Sequence, residues 1–186
     1  RASGFCGNNL TWVLTENKVL TISGTGRMDD FPENTDNIFR RHNSSIKEIV
    51  IEPGVTTIGK NAFAYCFYTT RITIPETITL IDAGAFGKPN DPQSIHITNL
   101  SAWCNIVFNS YPKVSHISSD QGCTLYLNGE QVENLVIPED ITKIPANAFC
   151  NFNFTSLTIP SGVTEIGDSA FKNCAITGIS IPSSVN

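Results

Sequence analysis

Hydrophobic positions recur along the chain in a fixed pattern, which opens on a short alternation of apolar and polar residues and closes on a phenylalanine. Four segments carry the whole pattern: IEPGVTTIGKNAF from Ile51, IPETITLIDAGAF from Ile74, IPEDITKIPANAF from Ile137 and IPSGVTEIGDSAF from Ile159. A fifth copy, IPSSV, begins at Ile181. Directly successive copies lie 22 or 23 residues apart, which indicates a repeat array.

Each copy predicts one coil of a solenoid. In SLTIP, the alternation indicates a short strand with Leu157 and Ile159 facing inward, and the proline ends the strand because it has no N–H for a further ladder bond. The DSAF segment that follows is typical of a short helical turn, which Asp168 could cap. Stacked copies bury what one copy cannot. The predicted apolar stack comprises Ile51, Phe63, Ile74, Phe86, Ile137, Phe149, Ile159 and Phe171.

Two segments depart from the repeat. NNLTWVLTENKVLTISGTG alternates around a polar turn, which predicts a hairpin that caps the N-terminal end of the stack. Between the second and third full copies the pattern degenerates, and Asn128-Gly129 predicts a two-residue hairpin turn. We therefore divide one continuous solenoid into a cap and first irregular coil (1–45), two regular repeats (46–94), a degenerate repeat with a hairpin insertion (95–132), and two regular repeats plus a truncated one (133–186).

The unit IPxxVTxIGxxAFxxC resembles the BspA-like leucine-rich repeats of bacterial and some protist surface proteins. The opening CGNNLTWVLTENKVLTISGTGRM and the block LSAWCNIVF…LYLNGEQVENLVIP are similar to segments that recur in gut-bacterial members, so the resemblance covers nearly the whole chain. It implies a right-handed leucine-rich-repeat solenoid, a β-rich α/β fold, that is secreted or displayed at a cell surface. It also implies attachment or protein binding, with no catalytic residues.

Charge and hydropathy exclude two classes of protein. The formal net charge is −5 and the sequence pI is about 5.1, whereas a nucleic-acid binder needs a basic face. No apolar run approaches the ~20 residues of a membrane span. Because the sequence has neither an initiator Met nor an apolar leader, we expect a mature or trimmed chain.

The cysteines and histidines do not predict a metal or cofactor site. Cys66 and Cys174 both lie three residues after the repeat phenylalanine, in a slot that holds Phe152 in another copy, so we expect buried free thiols. A disulfide between Cys104 and Cys123 stays open as an alternative. No Cys or His spacing is typical of zinc ligands, and no catalytic constellation is evident, so we expect a protein that is not an enzyme and needs no cofactor.

Outward strand positions are the candidates for contact with an unidentified protein ligand from a host or a cell surface. The twelve positions that the alternation assigns to this face include one Arg and no aromatic residue, although interface hot spots favour Trp, Tyr and Arg. A structural spacer that displays a neighbouring domain is therefore an alternative function, and a hydrolase with an unrecognised site is a third. The candidate contact residues are Glu48, Val50, Arg71, Thr73 and His96, and the alternative set in the irregular coil is Trp103, Tyr111 and Tyr126.

Overall fold

The computed structural model describes residues 1–32, 37–86, 94–109 and 122–186. Strands predominate, and the helices are a 3-10 helix and a short α-helix, each within those ranges. Asn99 begins the α-helix, where its side-chain oxygen accepts a hydrogen bond from the Ala102 N–H at 2.9 Å. The elements are β1 (Ala2–Gly7), β2 (Leu10–Leu14), β3 (Val19–Gly24), β4 (Gly26–Arg27), the 3-10 helix (Arg40–Ser45), β5 (Glu48–Ile51), β6 (Val55–Ile58), β7 (Arg71–Thr73), β8 (Leu80–Ile81), β9 (Ser94–Ile97), α1 (Leu100–Cys104), β10 (Val107–Phe108), β11 (Thr124–Leu127), β12 (Glu130–Gln131), β13 (Asn134–Val136), β14 (Lys143–Ile144), β15 (Ser156–Thr158) and β16 (Glu165–Ile166).

The alternating segment before each repeat proline is a parallel strand: β13 and β15 pair with each other, and β5 and β7 lie in the first sheet. This sheet has eight strands in the order β1-β2-β3-β5-β7-β9-β11-β12, and the pairs from β3 to β11 are parallel. The register aligns Ile49, Ile72, Ile95 and Leu125 on successive strands, and all four side chains are buried. The predicted inward positions therefore form a continuous line of apolar side chains across the stacked coils.

A second parallel sheet follows the proline corner of each copy, and the sequence pattern did not predict it. Its order is β10-β8-β6-β4, and β14 pairs with β16 in the same manner further along the chain. In the VTxI segment, Val55 and Ile58 are fully buried. The backbones of these segments also pair between coils, because the stacked copies bring equivalent extended segments side by side.

The turn that ends each copy forms the third side of the coil. The helical turn predicted at DSAF is wrong, because the residue two places before each repeat phenylalanine is left-handed, a conformation that Asn and Gly adopt more readily than most residues. Backbone hydrogen bonds again join successive coils there, as from the Phe149 N–H to the Ala170 carbonyl at 2.8 Å. The left-handed residues have φ values of 54° at Asn61, 69° at Gly84, 66° at Asn147 and 59° at Ser169.

The predicted apolar stack is confirmed as the core of the solenoid. Seven of its eight members are at most 8% exposed, and Phe171 is half-buried and packs against the core. The rings stack between coils, with centroids 5.8 Å apart for Phe63 and Phe86 and 5.6 Å apart for Phe149 and Phe171. The alanine before each phenylalanine is at most 2% exposed, which leaves room for the next coil to pass closely.

Hairpins form in both irregular segments. At the N-terminal end, β2 and β3 pair antiparallel as predicted, and β1 adds a third antiparallel strand that was not anticipated. In the degenerate coil, β11 and β12 form the predicted hairpin, with φ values of 52° at Asn128 and 85° at Gly129. Positive φ at both turn residues is what a type I′ turn requires.

The six cysteines are free thiols, so the sulfurs of Cys104 and Cys123 are not bonded to each other. Cys66 is 6% exposed, as its core slot predicted, whereas Cys174 is half-buried. Burial raises the pKa of the Cys66 thiol to about 12, because a thiolate is disfavoured away from water. Cys66 is therefore a packing residue whose thiol stays protonated at neutral pH.

Within the described part of the chain, no helix has the length and apolar character needed to cross a membrane.

Candidate binding face on the first sheet

The outward side chains of the first sheet form the strand face, which we define by β3, β5, β7, β9 and β11. Residues in register on parallel strands lie in lines across the sheet about 5 Å apart. Two such lines carry the polar and aromatic side chains of this face. The first joins Glu48, Arg71, Ser94 and Thr124, and the second joins Val50, Thr73, His96 and Tyr126.

An ion pair lies in the first line. The Arg71 Nε is 3.3 Å from Oε1 of Glu48, and the two side chains are 50% and 31% exposed. Pairs this open to water contribute only about 0–1 kcal/mol to folding. The planar guanidinium lies at the surface beside Glu48, and its remaining N–H donors can meet a second carboxylate at two points.

A stacked aromatic pair lies in the second line. The rings of His96 and Tyr126 have centroids 4.4 Å apart and planes inclined by 8°, and His96 Nε2 lies 3.1 Å from the hydroxyl oxygen of Ser94. Burial and then the charge of Arg71 lower the pKa of His96 below its ordinary value of 6.5, while Glu48 partly opposes this. At neutral pH the ring is therefore an uncharged imidazole on a flat aromatic surface.

The structure brings the predicted contact residues together on adjacent strands. Glu48 and Val50 lie on β5, Arg71 and Thr73 on β7, and His96 on β9. Arg71 is exposed and the other four are half-buried. The alternation alone correctly assigned these side chains to the outward surface.

The alternative set in the irregular coil does not form one surface. Trp103 is 2% exposed, and its Nε1–H donates to the Ala148 carbonyl at 3.1 Å, so it is a core residue and not a contact residue. Tyr126 lies on the strand face beside His96. Tyr111 lies outside the described residues.

Two aromatic residues lie on this side of the sheet, so the description of the face as free of aromatics is wrong. The sequence placed one of them, Tyr126, in the alternative set and did not indicate the other, Phe5. Tyr126 was assigned to the insertion, although its segment TLYL alternates like SIHI on the neighbouring strand. Phe5 is 76% exposed and lies across from Thr11, which is itself across from Ser23 on β3. No repeat signal marks Phe5, because β1 belongs to the antiparallel segment.

Further along the chain, the outward positions of β13 and β15 carry no charged or aromatic side chain. β13 carries Asn134 and Val136, and β15 carries Ser156 and Thr158 in register with them. All four side chains are exposed. The Arg71–Glu48 ion pair and the stacked His96–Tyr126 pair, which could anchor a partner, both lie on β5 to β11.

Among the residues that the structure describes, no group of three or more His, Cys, Asp or Glu side chains is placed to hold a metal ion.

Comparison with known proteins gives one family and three similar solved structures. A family model described as BspA type leucine-rich repeat region, with six copies, matches residues 34–128 and 122–186. No curated protein matches the sequence.

Three solved structures are similar over most of the chain. A leucine-rich repeat protein from Eubacterium ventriosum is 22% identical, covers 100% of this chain and 68% of its own, and has a TM-score of 0.43. A leucine-rich cell surface protein from Faecalibacterium prausnitzii is 15% identical over 97% of this chain and 77% of its own, with a TM-score of 0.40. The pneumococcal vaccine antigen PcpA is 14% identical over 97% of this chain and 70% of its own, with a TM-score of 0.29.

Proposed function

The chain belongs to the BspA-type leucine-rich repeat family, and on that premise we propose that it is a protein-binding or adhesion module of a secreted or cell-surface protein. The family is a repeat scaffold, and a stack of repeats presents an extended surface that suits recognition. We therefore propose a non-enzymatic role without a cofactor. The partner is a protein of a host or of another cell surface.

The observation that carries this proposal is the composition of the strand face between β5 and β11. It combines a surface arginine at 3.3 Å from Glu48 with a stacked His96–Tyr126 pair. Arginine and tyrosine are enriched among residues that dominate protein interfaces, and here both lie on strands of one sheet. A partner with a carboxylate and a flat apolar group matches these two features.

We extend the proposal to the whole solenoid. It winds to the right, and the strands β1 to β3 cover the N-terminal end of its apolar stack, as an array requires at its termini. Residues 1–45 then form the cap and first irregular coil, residues 46–94 and 133–186 hold the regular copies, and residues 95–132 hold the degenerate one.

A spacer that displays a neighbouring domain is the second candidate function. It is favoured by the C-terminal strands, whose outward residues on β13 and β15 are Asn134, Val136, Ser156 and Thr158. Small polar and aliphatic side chains of this kind are under-represented among hot spots. If the chain is a spacer, neither the strand face nor the outward side of β13 and β15 binds a partner.

The test is capture of extracellular and cell-wall proteins on the immobilised chain, followed by binding measurements with Arg71→Ala. We expect a loss of more than about 1 kcal/mol in binding free energy, or about fivefold in Kd, with the fold intact because the side chain is at the surface. Lys143→Ala is the matched control, because Lys143 is also an exposed cation, 2.8 Å from Glu165 on the neighbouring coil.

Two other outcomes would redirect the proposal. If Arg71→Ala binds normally and Tyr126→Ala does not, recognition depends on the stacked His96–Tyr126 pair and not on the arginine. If no partner is captured, the spacer function is correct.

A further inference from the structure

The first sheet is interrupted beside the hairpin of the degenerate coil. Its last strand is β12, and β13 starts a separate pairing with β15. An open groove of about 380 Å³ lies between these two edges, and we call it the edge groove. Its lining includes Leu100, Leu127, Val132, Val136, Glu130 and Glu133.

Backbone groups on both edges point towards this groove. Across the hairpin, the Val132 N–H donates to the Leu125 carbonyl at 2.9 Å, and Gln131 is opposite Tyr126. Since hydrogen-bonded and non-hydrogen-bonded pairs alternate along antiparallel strands, the N–H and C=O of Gln131 face away from β11.

The same alternation applies to β13. The Ile137 N–H donates to the Thr158 carbonyl at 3.0 Å, so the backbone groups of Ile137 face β15. Those of Val136, one residue earlier, face the opposite edge and therefore the groove. Val136 also presents an exposed apolar side chain, at 57%.

The surroundings of the groove are strongly acidic. Residues 127–140 contain Glu130, Glu133, Glu139 and Asp140 and no Lys or Arg, in a chain with 12 basic residues in total. Asp140 is held next to the groove, because its Oδ1 accepts a hydrogen bond from the Ser101 hydroxyl at 2.9 Å. An occupant with positive charge is therefore favoured over a neutral or negative one.

We propose that the edge groove binds a basic peptide segment in an extended conformation, which adds as a strand between β12 and β13. Its backbone pairs with the edge groups, its apolar side chains contact Leu127 and Val132 on the side of the hairpin that faces the core, and its Lys or Arg side chains meet Glu130 and Glu133. Strand addition of this type takes affinity from main-chain hydrogen bonds and specificity from alternate side chains. This site is separate from the Arg71 surface and does not depend on the function proposed for it.

The first experiment uses a short fluorescent peptide of alternating lysine and valine, titrated into the full chain at low salt and followed by fluorescence anisotropy. Binding is expected, and it should weaken as salt is added. The same peptide with glutamate in place of lysine should not bind. A version with alternate backbone nitrogens methylated on the pairing edge keeps its charge and should also fail to bind. If the methylated peptide binds as well as the parent peptide, attraction is by charge alone and the proposal is overturned.

The second experiment locates the site with variants that keep the shape of the chain. The double variant Glu130→Gln, Glu133→Gln should weaken binding about threefold to tenfold, because two surface ion pairs are lost. The double variant Glu16→Gln, Glu52→Gln removes the same charge from exposed positions elsewhere and should bind as the parent chain does. Equal weakening by both double variants, or none by the first, would overturn the proposal. Circular dichroism confirms that each variant is folded.

Discussion

Replacement of Phe149 by alanine tests how the stacked rings hold the coils together. Its side chain is fully buried, at 0% exposure, and its ring centroid lies 5.6 Å from that of Phe171, 5.9 Å from Phe154 and 6.4 Å from Phe152. Replacing a buried phenylalanine by alanine lowers the free energy of unfolding by about 3–5 kcal/mol. The loss of ring pairs on three sides adds to the cavity cost, so we expect about 4 kcal/mol.

Urea denaturation followed by far-UV circular dichroism measures this loss. If the free energy of unfolding falls by about 2.5 kcal/mol per molar urea, the urea concentration at the unfolding midpoint should fall by about 1.5 M. The control is Phe5→Ala, since the Phe5 ring is 76% exposed and its removal should change stability by no more than about 0.5 kcal/mol. A loss below about 1 kcal/mol for Phe149→Ala would refute the view that this ring fills the coil interior.

The remaining predictions concern a close backbone contact, a thiol and a histidine. Gly167→Ala should destabilise the chain by about 1–3 kcal/mol, because a Cβ there would collide with the backbone of Ala146. Gly178 has open space around it, so Gly178→Ala should leave the stability unchanged in the same urea assay. Cys66, whose pKa burial raises to about 12, should react with a thiol reagent at pH 8 only after denaturation, and rapid labelling of the folded chain would contradict its core position. The lowered pKa of His96 means that the unfolded chain binds more protons below pH 6.5, so stability should decrease as the pH falls through that region. His96→Gln should flatten this decrease, whereas an NMR titration midpoint above 6.5 for His96 would show that the sign is wrong.

Local rules on the sequence predicted most of the coil. The isoleucine and phenylalanine positions recur because the same buried slots recur in each copy, and Asn128-Gly129 specifies its turn because both residues need positive φ. The left-handed turn before each Ala-Phe was missed, although Asn61, Gly84 and Asn147 are residue types that tolerate it.

Features that depend on contacts between coils could not be predicted in the same way. The second sheet requires knowing that the segments at Val55 and Leu80 come side by side, and the sequence shows neither the distance nor the register. The stacking of His96 on Tyr126 likewise depends on the pairing of β9 with β11 across the degenerate coil. Trp103 was taken for a contact residue because aromatic residues are typical of interfaces, yet its indole fills the core.

The central claim is that partners bind the strand face between β5 and β11. Photo-crosslinking from one outward position on this face and one outward position further along the chain tests it most directly. p-Benzoylphenylalanine is placed either at Thr73, on β7 of that face, or at Ser180, an exposed outward position beyond β15 and away from the edge groove. After irradiation with extracellular and cell-wall proteins, the account predicts a discrete crosslinked partner from position 73 and none from position 180. A partner captured from position 180 alone, or equally from both positions, would contradict it.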